Sequence, residues 1–436
     1  MLNEQQAKEL VQKIIAFSTA DEVNVTVSGN RIGNIRYARN TVSTNGETES
    51  TQYSITSVFG KRSGTATGNE FDEATLKRIV ERSEEIARLA PENPEYLPAL
   101  GAQEYGRSVN YAQATADIDP AFRADAALAS IEACIKSNTT AAGYLEDQSG
   151  FIAIGNNRGL FAYDRSSSGE FTVTARTADE KGSGYGVQYF TDARNIDTKQ
   201  ATETAIRKAK ASVETKELKP GKYTVILEPQ AAYDLVSLLV GSFDARSADE
   251  GRSFFGKRGS GNRMGEKLFD EKVTIVSDPF DPLNPSTPFA PDGRPRNKTT
   301  WVEQGVLKQL AYSRYWAQQK NVSPIPPPSG FSMAGSNKSL EDLISSTEKG
   351  ILVTRFYYIR PVDAQTLVQT GLTRDGTFYI ENGKVQYAIK NMRFNESPAF
   401  MLNNLRDVGQ AVRINRSLVP SMKIDDFNFT SLSDAV

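Results

Sequence analysis

Asp234 and Asp244 are the only carboxylates in PQAAYDLVSLLVGSFD (229–244), an apolar helical pattern that runs into the polar, glycine-punctuated loop ARSADEGRSFFGKRGSG (245–261). A helix feeding such a loop is a common frame for hydrolysis, where carboxylates do acid–base work or a metal is held beside the helix. The rest of the chain narrows that chemistry. Its 436 residues contain no histidine and one cysteine, Cys134. Ser-His-Asp and Cys-His arrangements are therefore excluded, and the commonest general base and metal ligand are both missing. A zinc site would need carboxylates alone or a share of Cys134, and both are unusual for zinc. No calcium-loop spacing of acidic residues occurs. Cys134 lies at helical spacing from Ile131 in AALASIEACIKS and reads as a buried small hydrophobe, with no imidazole to activate it.

Two further clusters carry charge. Asp278, Asp281 and Asp292 fall in SDPFDPLNPSTPFAPDGRP. Paired carboxylates suit acid–base work, but Asp-Pro and Pro-Asp-Gly are turn chemistry, and the turn reading is preferred. Arg246, Arg252, Lys257, Arg258, Arg263 and Lys267 surround Phe254 and Phe255, as a phosphate or nucleic-acid loop would. The glycine spacing is not that of a P-loop, and Asp249, Glu250 and Glu266 dilute the charge. A solvated or subunit-facing loop is the better reading. GNNRG (155–159) reads as a turn, and the Asn-X-Ser/Thr sites at Asn138 and Asn297 carry little weight.

The elements that would position these residues are legible in part. Ala7, Leu10, Val11, Ile14 and Ile15 mark an opening helix, and Val23, Val25 and Val27 alternate as a strand should. Turns are expected at Gly29-Asn30 and Asn45-Gly46. Asp72 caps a second helix with Leu76, Ile79, Val80 and Ile86 on its apolar face. A third helix spans 117–137, a strand meander follows with turns at Gly150, 156–159 and Gly169, and a helix over 198–214 closes this half. KELKPGK marks a boundary. Beyond it the chain is mostly strand and loop, with a hairpin turn at Glu381-Asn382-Gly383-Lys384 and a Pro/Gly/Ser-rich, surface-exposed and mobile loop at 321–339. The expected fold class is α+β in two domains. Residues 1–218 form a helix and antiparallel-strand domain, and 219–436 a β-rich domain opened by the helix 230–244.

Composition is that of a globular protein, 39% hydrophobic and 24% charged with a net charge of −2. It gives no reason to expect nucleic acid or an anionic membrane as partner. The N-terminus lacks the features of a signal peptide and no stretch is long enough to span a bilayer, so a cytoplasmic location is expected.

Several pieces of the second half, in order, resemble the TldD/PmbA family: AAYDLVSLLVGSF, GRSFFGKRGSGNRMGEKLFDEKVTIVSDP, WVEQGVLKQLAYSRYWAQQ, the long segment from GILVTRFYYIRP to NNLRDVG, and LVPSMKIDDF. GKRSGTATGNEFDEATLKRIVERSEEIARLAPENPEY in the first half is similar to the family's opening. The resemblance implies a zinc peptidase fold in which TldD-type members carry HExxxH on the helix that opens the second domain. A cysteine near the C-terminus completes that site. Two imidazoles about one helical turn apart would face the metal, with the Glu as general base. Anchored on Gly241, those positions fall here at Ser237, Leu238 and Ser242, with the cysteine position near Leu405. None is a ligand.

The resemblance thus implies a TldE-like (PmbA-like) subunit with a degenerate metal site, no metal, no cofactor and no catalytic residue. It would work with an HExxxH-bearing TldD-type subunit, or as a homodimer, on unfolded or modified peptides. The alternative is a stand-alone peptide-binding or scaffold protein on the same fold, and a carboxylate hydrolase is a weaker third. A peptide held as an added strand would pair with GILVTRFYYIRP or TFYIENGKVQYAI, although both read first as core strands. Ser237 and Ser242 are expected to face a shared cavity, with Leu235, Leu239 and Val240 packed inward.

Overall fold

The computed structural model describes residues 1–433 apart from 258 and 260. The fold is α+β, built on two sheets. The first is a six-stranded antiparallel sheet whose spatial order is Arg62–Gly68, Thr41–Phe59, Glu22–Ala38, Thr139–Asn156, Phe161–Thr177 and Ser183–Phe190. Alternation along Glu22–Ala38 turns Val23, Val25 and Val27 to one face, where helices Glu4–Ala16 and Glu73–Leu89 bury Ala7, Val11, Ile14, Leu76 and Val80 against them. Helix Glu73–Leu89 starts where Asp72 accepts the Thr75 N–H at 3.0 Å. Further along, helices Pro120–Lys136 and Thr198–Ala211 cover Ile35, Tyr37, Leu145 and Phe171. Cys134 is fully buried there, and burial pushes its thiol up, away from the reactive thiolate.

Four expected turns are not turns. Glu22–Ala38 runs straight through Gly29-Asn30, Thr41–Phe59 through Asn45-Gly46, Thr139–Asn156 through Gly150, and Phe161–Thr177 through Gly169. At most of these sites glycine answers a close approach rather than a bend. A Cβ on Gly29 would stand 2.4 Å from the Phe151 ring, and one on Gly169 2.2 Å from the Phe190 ring. The first hairpin instead reverses at Arg39 and Asn40, both at positive φ (52° and 58°). The turn after Asn156 is as expected: its carboxamide oxygen accepts the Arg158 and Leu160 N–H groups.

The second sheet has twelve strands and is organised by Ser417–Leu432, which pairs with Phe331–Met333, Gly221–Leu227, Met392–Glu396 and Leu405–Ile414. Asn382 (φ 52°) and Gly383 (φ 72°) form the expected hairpin turn between Val368–Glu381 and Lys384–Ile389. The proline-rich stretch 321–339 is not all exposed loop. Phe331 and Met333 are 3% and 2% exposed, and their strand joins the sheet. Helix Pro229–Gly241 lies on this sheet with Ala231, Ala232, Leu235, Val236 and Leu239 fully buried. Side-chain bonds tie the two sheets together, among them Ser183 Oγ donating to Asp375 Oδ1 at 2.6 Å while Arg355 Nε donates to the other carboxylate oxygen at 2.7 Å. Among the described residues no helix is long and apolar enough to cross a membrane.

Candidate functional site

Pro229 at the first helical position and Glu228 before it start the helix, and Ser242 ends it. One side of this helix is core. The other borders a cleft of about 550 Å³ lined by Tyr233, Ser237, Gly241, Arg294, Ser329 and Arg416, among others. Its walls are held rigidly. The Tyr233 ring stacks on Phe331 at 6.3 Å between centroids, and its hydroxyl accepts from Asn415 Nδ2 at 3.0 Å. Arg294 is fixed by Asp292 (2.7 Å) and by the Tyr312 carbonyl (2.7 Å), whereas Arg416 is exposed at the rim. Asp244 accepts the Ser247 N–H at 2.7 Å and caps the short helix Ala245–Asp249. The cleft offers hydroxyls, amides, guanidinium groups and the Asp244 carboxylate to a polar ligand. Among the described residues it pairs no nucleophile with a base.

The four positions singled out by sequence are not gathered around this cleft. Ser237 lines it. Leu238 is 37% exposed and lies off it. Ser242 spends its hydroxyl on the Leu239 carbonyl at 2.6 Å and does not line it. Leu405 is 1% exposed and belongs to the core, where it pairs with Ile424. Ser237 and Ser242 are five residues, about 1.4 turns, apart, and Ser242 is the residue that ends the helix. Leu235 and Leu239 are fully buried as expected, and Val240 is 6% exposed while also edging the cleft.

The donor set does not fit zinc. Ser237, Leu238, Ser242 and Leu405 supply no imidazole, thiolate or carboxylate, and Cys134 lies in the other half of the chain. Among the described residues no group of three or more His, Cys, Asp or Glu is placed to hold a metal ion.

Asp234 is the ionised group that composition alone could not rank. It sits on the helix, partly buried, and its two oxygens accept from Gln230 Nε2 (2.8 Å) and from the Phe356 N–H (3.0 Å). Burial pushes it up to about 6, against the pull of those hydrogen bonds and of Arg355. It does not line the cleft, and its bonds pin the helix to strand Lys349–Asp363. The other clusters resolve into structure. Asp278, Asp281 and Asp292 each accept a backbone N–H two residues on, from Phe280, Leu283 and Arg294. In the basic loop, Arg246 pairs with Glu95 and Glu250, Arg252 with Glu250, and Lys257 and Arg263 with Glu266. Phe255 is fully buried beside Phe243, and Arg258 lies outside the described residues. The strands considered for peptide pairing are core first: Ile351, Val353 and Ile380 are fully buried, and Ile351–Val353 is paired on both sides. Beyond Phe356, strand Lys349–Asp363 pairs, among the described residues, with Val368–Glu381 alone.

Comparison with known proteins agrees with this frame. Models of three PmbA/TldA metallopeptidase domains match in order: domain 1 at residues 25–87, the central domain at 105–213 and the C-terminal domain at 220–431. The metalloprotease PmbA of Escherichia coli O157:H7 is 22% identical over 410 residues, covering 87% of this chain and 88% of that protein. A metalloprotease of Archaeoglobus fulgidus is 25% identical over 167 residues, 35% of this chain and 38% of the relative. Among solved structures, TldE from Thermococcus kodakarensis superposes with a TM-score of 0.87 at 18% identity, covering 97% of this chain and 99% of that one. A putative modulator of DNA gyrase from Thermotoga maritima gives the same TM-score and identity, over 97% of this chain and all of that one. The order of the three domain matches and their span across both sheets place the chain in the PmbA/TldD metallopeptidase family.

Proposed function

We propose that this chain is a metal-free, TldE-like subunit of a two-component peptidase of its family. In this reading an HExxxH-bearing partner supplies the metal chemistry, and this chain closes the chamber and helps hold an unfolded or modified peptide. One observation carries the reading. The helix that borders the cleft presents Ser237 there, and among the described residues no group of three or more His, Cys, Asp or Glu is placed to hold a metal ion. The open edge of strand Lys349–Asp363 beyond Phe356 supports the peptide part, because strand addition reads backbone and needs no metal.

The test mixes the purified chain with the HExxxH protein of its own host. Light scattering is expected to show a one-to-one complex, and the complex is expected to cleave a disordered peptide that neither component cleaves at the same rate alone. A chain that ignores the partner across micromolar concentrations would sink the proposal.

A further inference from the structure

The hairpin that joins Leu405–Ile414 to Ser417–Leu432 turns through Asn415 and Arg416, and both residues line the cleft. Asn415 stands at φ 54°, a conformation that Asn tolerates better than most residues, and its amide donates to Tyr233 Oη at 3.0 Å. The segment 327–330 presses on the same turn: a Cβ on Gly330 would stand 2.1 Å from the Arg416 carbonyl oxygen. The backbone of Arg416 is thus held in place while its side chain is exposed.

The lining is rich in donors that have no acceptor among the described residues. Arg294 commits Nε to Asp292 and Nη1 to the Tyr312 carbonyl, which leaves Nη2. The Tyr233 hydroxyl accepts from Asn415 and keeps its own proton to donate. The Ser237 and Ser329 hydroxyls and the Arg416 guanidinium make no hydrogen bond among the described residues.

The charges lean the same way. Arg294 is paired with Asp292, and Asp244 holds the Ser247 N–H as a helix cap. Arg416 has no carboxylate partner among the described residues, and neither has Arg413 on the same hairpin. The Arg413 Nε is buried and unpartnered among them, and burial, with the Arg416 charge, pushes its guanidinium down to about 10. A negatively charged group that only accepts hydrogen bonds fits this wall, and an ionised carboxylate is such a group.

We propose that the cleft binds a peptide carboxylate, from a C-terminus or an acidic side chain. Arg416 is its charge partner, with Arg294, Ser237, Ser329 and Tyr233 as further donors. A volume of about 550 Å³ admits the end of a peptide or one acidic side chain with its neighbours. The inference rests on the reading that this chain helps to hold peptide, and it gives the cleft helix a use that needs no metal ligand.

The experiment is titration calorimetry of the full chain with acetylated Ala/Ser peptides of equal length. One carries a free C-terminal carboxylate, one is amidated, and one is amidated with a single internal Glu. A carboxylate-bearing peptide is expected to bind about tenfold more tightly than the neutral one, and Arg416→Gln should remove the difference. The tighter of the two carboxylate peptides identifies the source. Equal binding of all three peptides, or none, overturns the proposal, as does a preference that survives Arg416→Gln. Should that variant fail to fold, Ser237→Ala decides in its place by the same comparison. No HExxxH protein enters the titration, so failure of carboxylate capture and failure of complex formation are read separately.

Discussion

Lys208 Nζ stands 2.6 Å from Glu228 Oε2, and the two side chains are only 8% and 14% exposed. Lys208 belongs to helix Thr198–Ala211 on the first sheet, and Glu228 is the residue that starts the cleft helix. Glu228 also donates its N–H to the Val353 carbonyl at 3.0 Å. One ion pair therefore connects the packing of the first half to the placement of Ser237. Removing one partner leaves a buried charge without its counter-ion, so Lys208→Met is expected to cost about 3 kcal/mol, as read by urea unfolding. The double variant Lys208→Met/Glu228→Gln should recover much of that loss.

The pure chain is expected to hold no stoichiometric zinc and to show no chelator-sensitive peptidase activity, as measured by metal analysis and peptide cleavage. The triple variant Ser237→His/Leu238→Glu/Ser242→His should not gain a tight zinc site. Ser242 does not line the cleft that Ser237 lines, and the residues that would orient the ligands are missing.

Asp234 makes stability depend on pH in a stated direction. Its carboxyl is pushed up to about 6 in the folded chain from an ordinary value of 3.8. Between these values the folded state binds the proton more tightly than the unfolded state, so this group's contribution falls as pH rises from about 4 to about 6 and then stays low. Asp234→Asn keeps an acceptor for the Phe356 N–H and removes the charge. It is expected to raise stability at pH 8 by an amount on the order of 2 kcal/mol and to matter little at pH 4, as read by denaturation at the two pH values.

Gly33 and Gly46 form a matched pair of tests on neighbouring strands. A Cβ on Gly33 would fall 1.7 Å from an Arg123 guanidinium nitrogen, and that guanidinium bonds Asp147 at 2.5 Å and Glu47 at 3.2 Å. A Cβ on Gly46 meets nothing within 4 Å. Gly33→Ala should therefore destabilise by about 2–4 kcal/mol by displacing a buried cation from its carboxylates, while Gly46→Ala should lie within about 0.5 kcal/mol of wild type. Thermal melts of both variants check this.

Local chemistry was legible in the sequence and tertiary contact was not. Asp72 as a cap, Asn382-Gly383 as a hairpin turn and the buried stripe of Leu235 and Leu239 each depend on a few adjacent residues, and each stands as read. Gly29 and Gly169 answer Phe151 and Phe190, which are distant in sequence and are brought close only by the paired strands. Phe331 and Met333 hid in a proline-rich stretch for the same reason, since their pairing partner is Ser417–Leu432. At the cleft, the helix could be found from its apolar pattern, but the separate placement of Ser237 and Ser242 and the burial of Leu405 depend on where the helix ends and what packs beneath it.

The central place of Ser417–Leu432 fixes an order of events during synthesis. The six strands of the first sheet lie between residues 22 and 190 and can pair among themselves early. The second sheet can pair only in part before its end is made, because Gly221–Leu227, Phe331–Met333, Met392–Glu396 and Leu405–Ile414 all pair with a strand made after them. Until residues 422–429 have emerged, Gly221–Leu227 lacks its antiparallel neighbour. The nascent chain spends that interval as a finished first sheet trailing an unfinished second one, and this half-built state is the one a chaperone would have to shield.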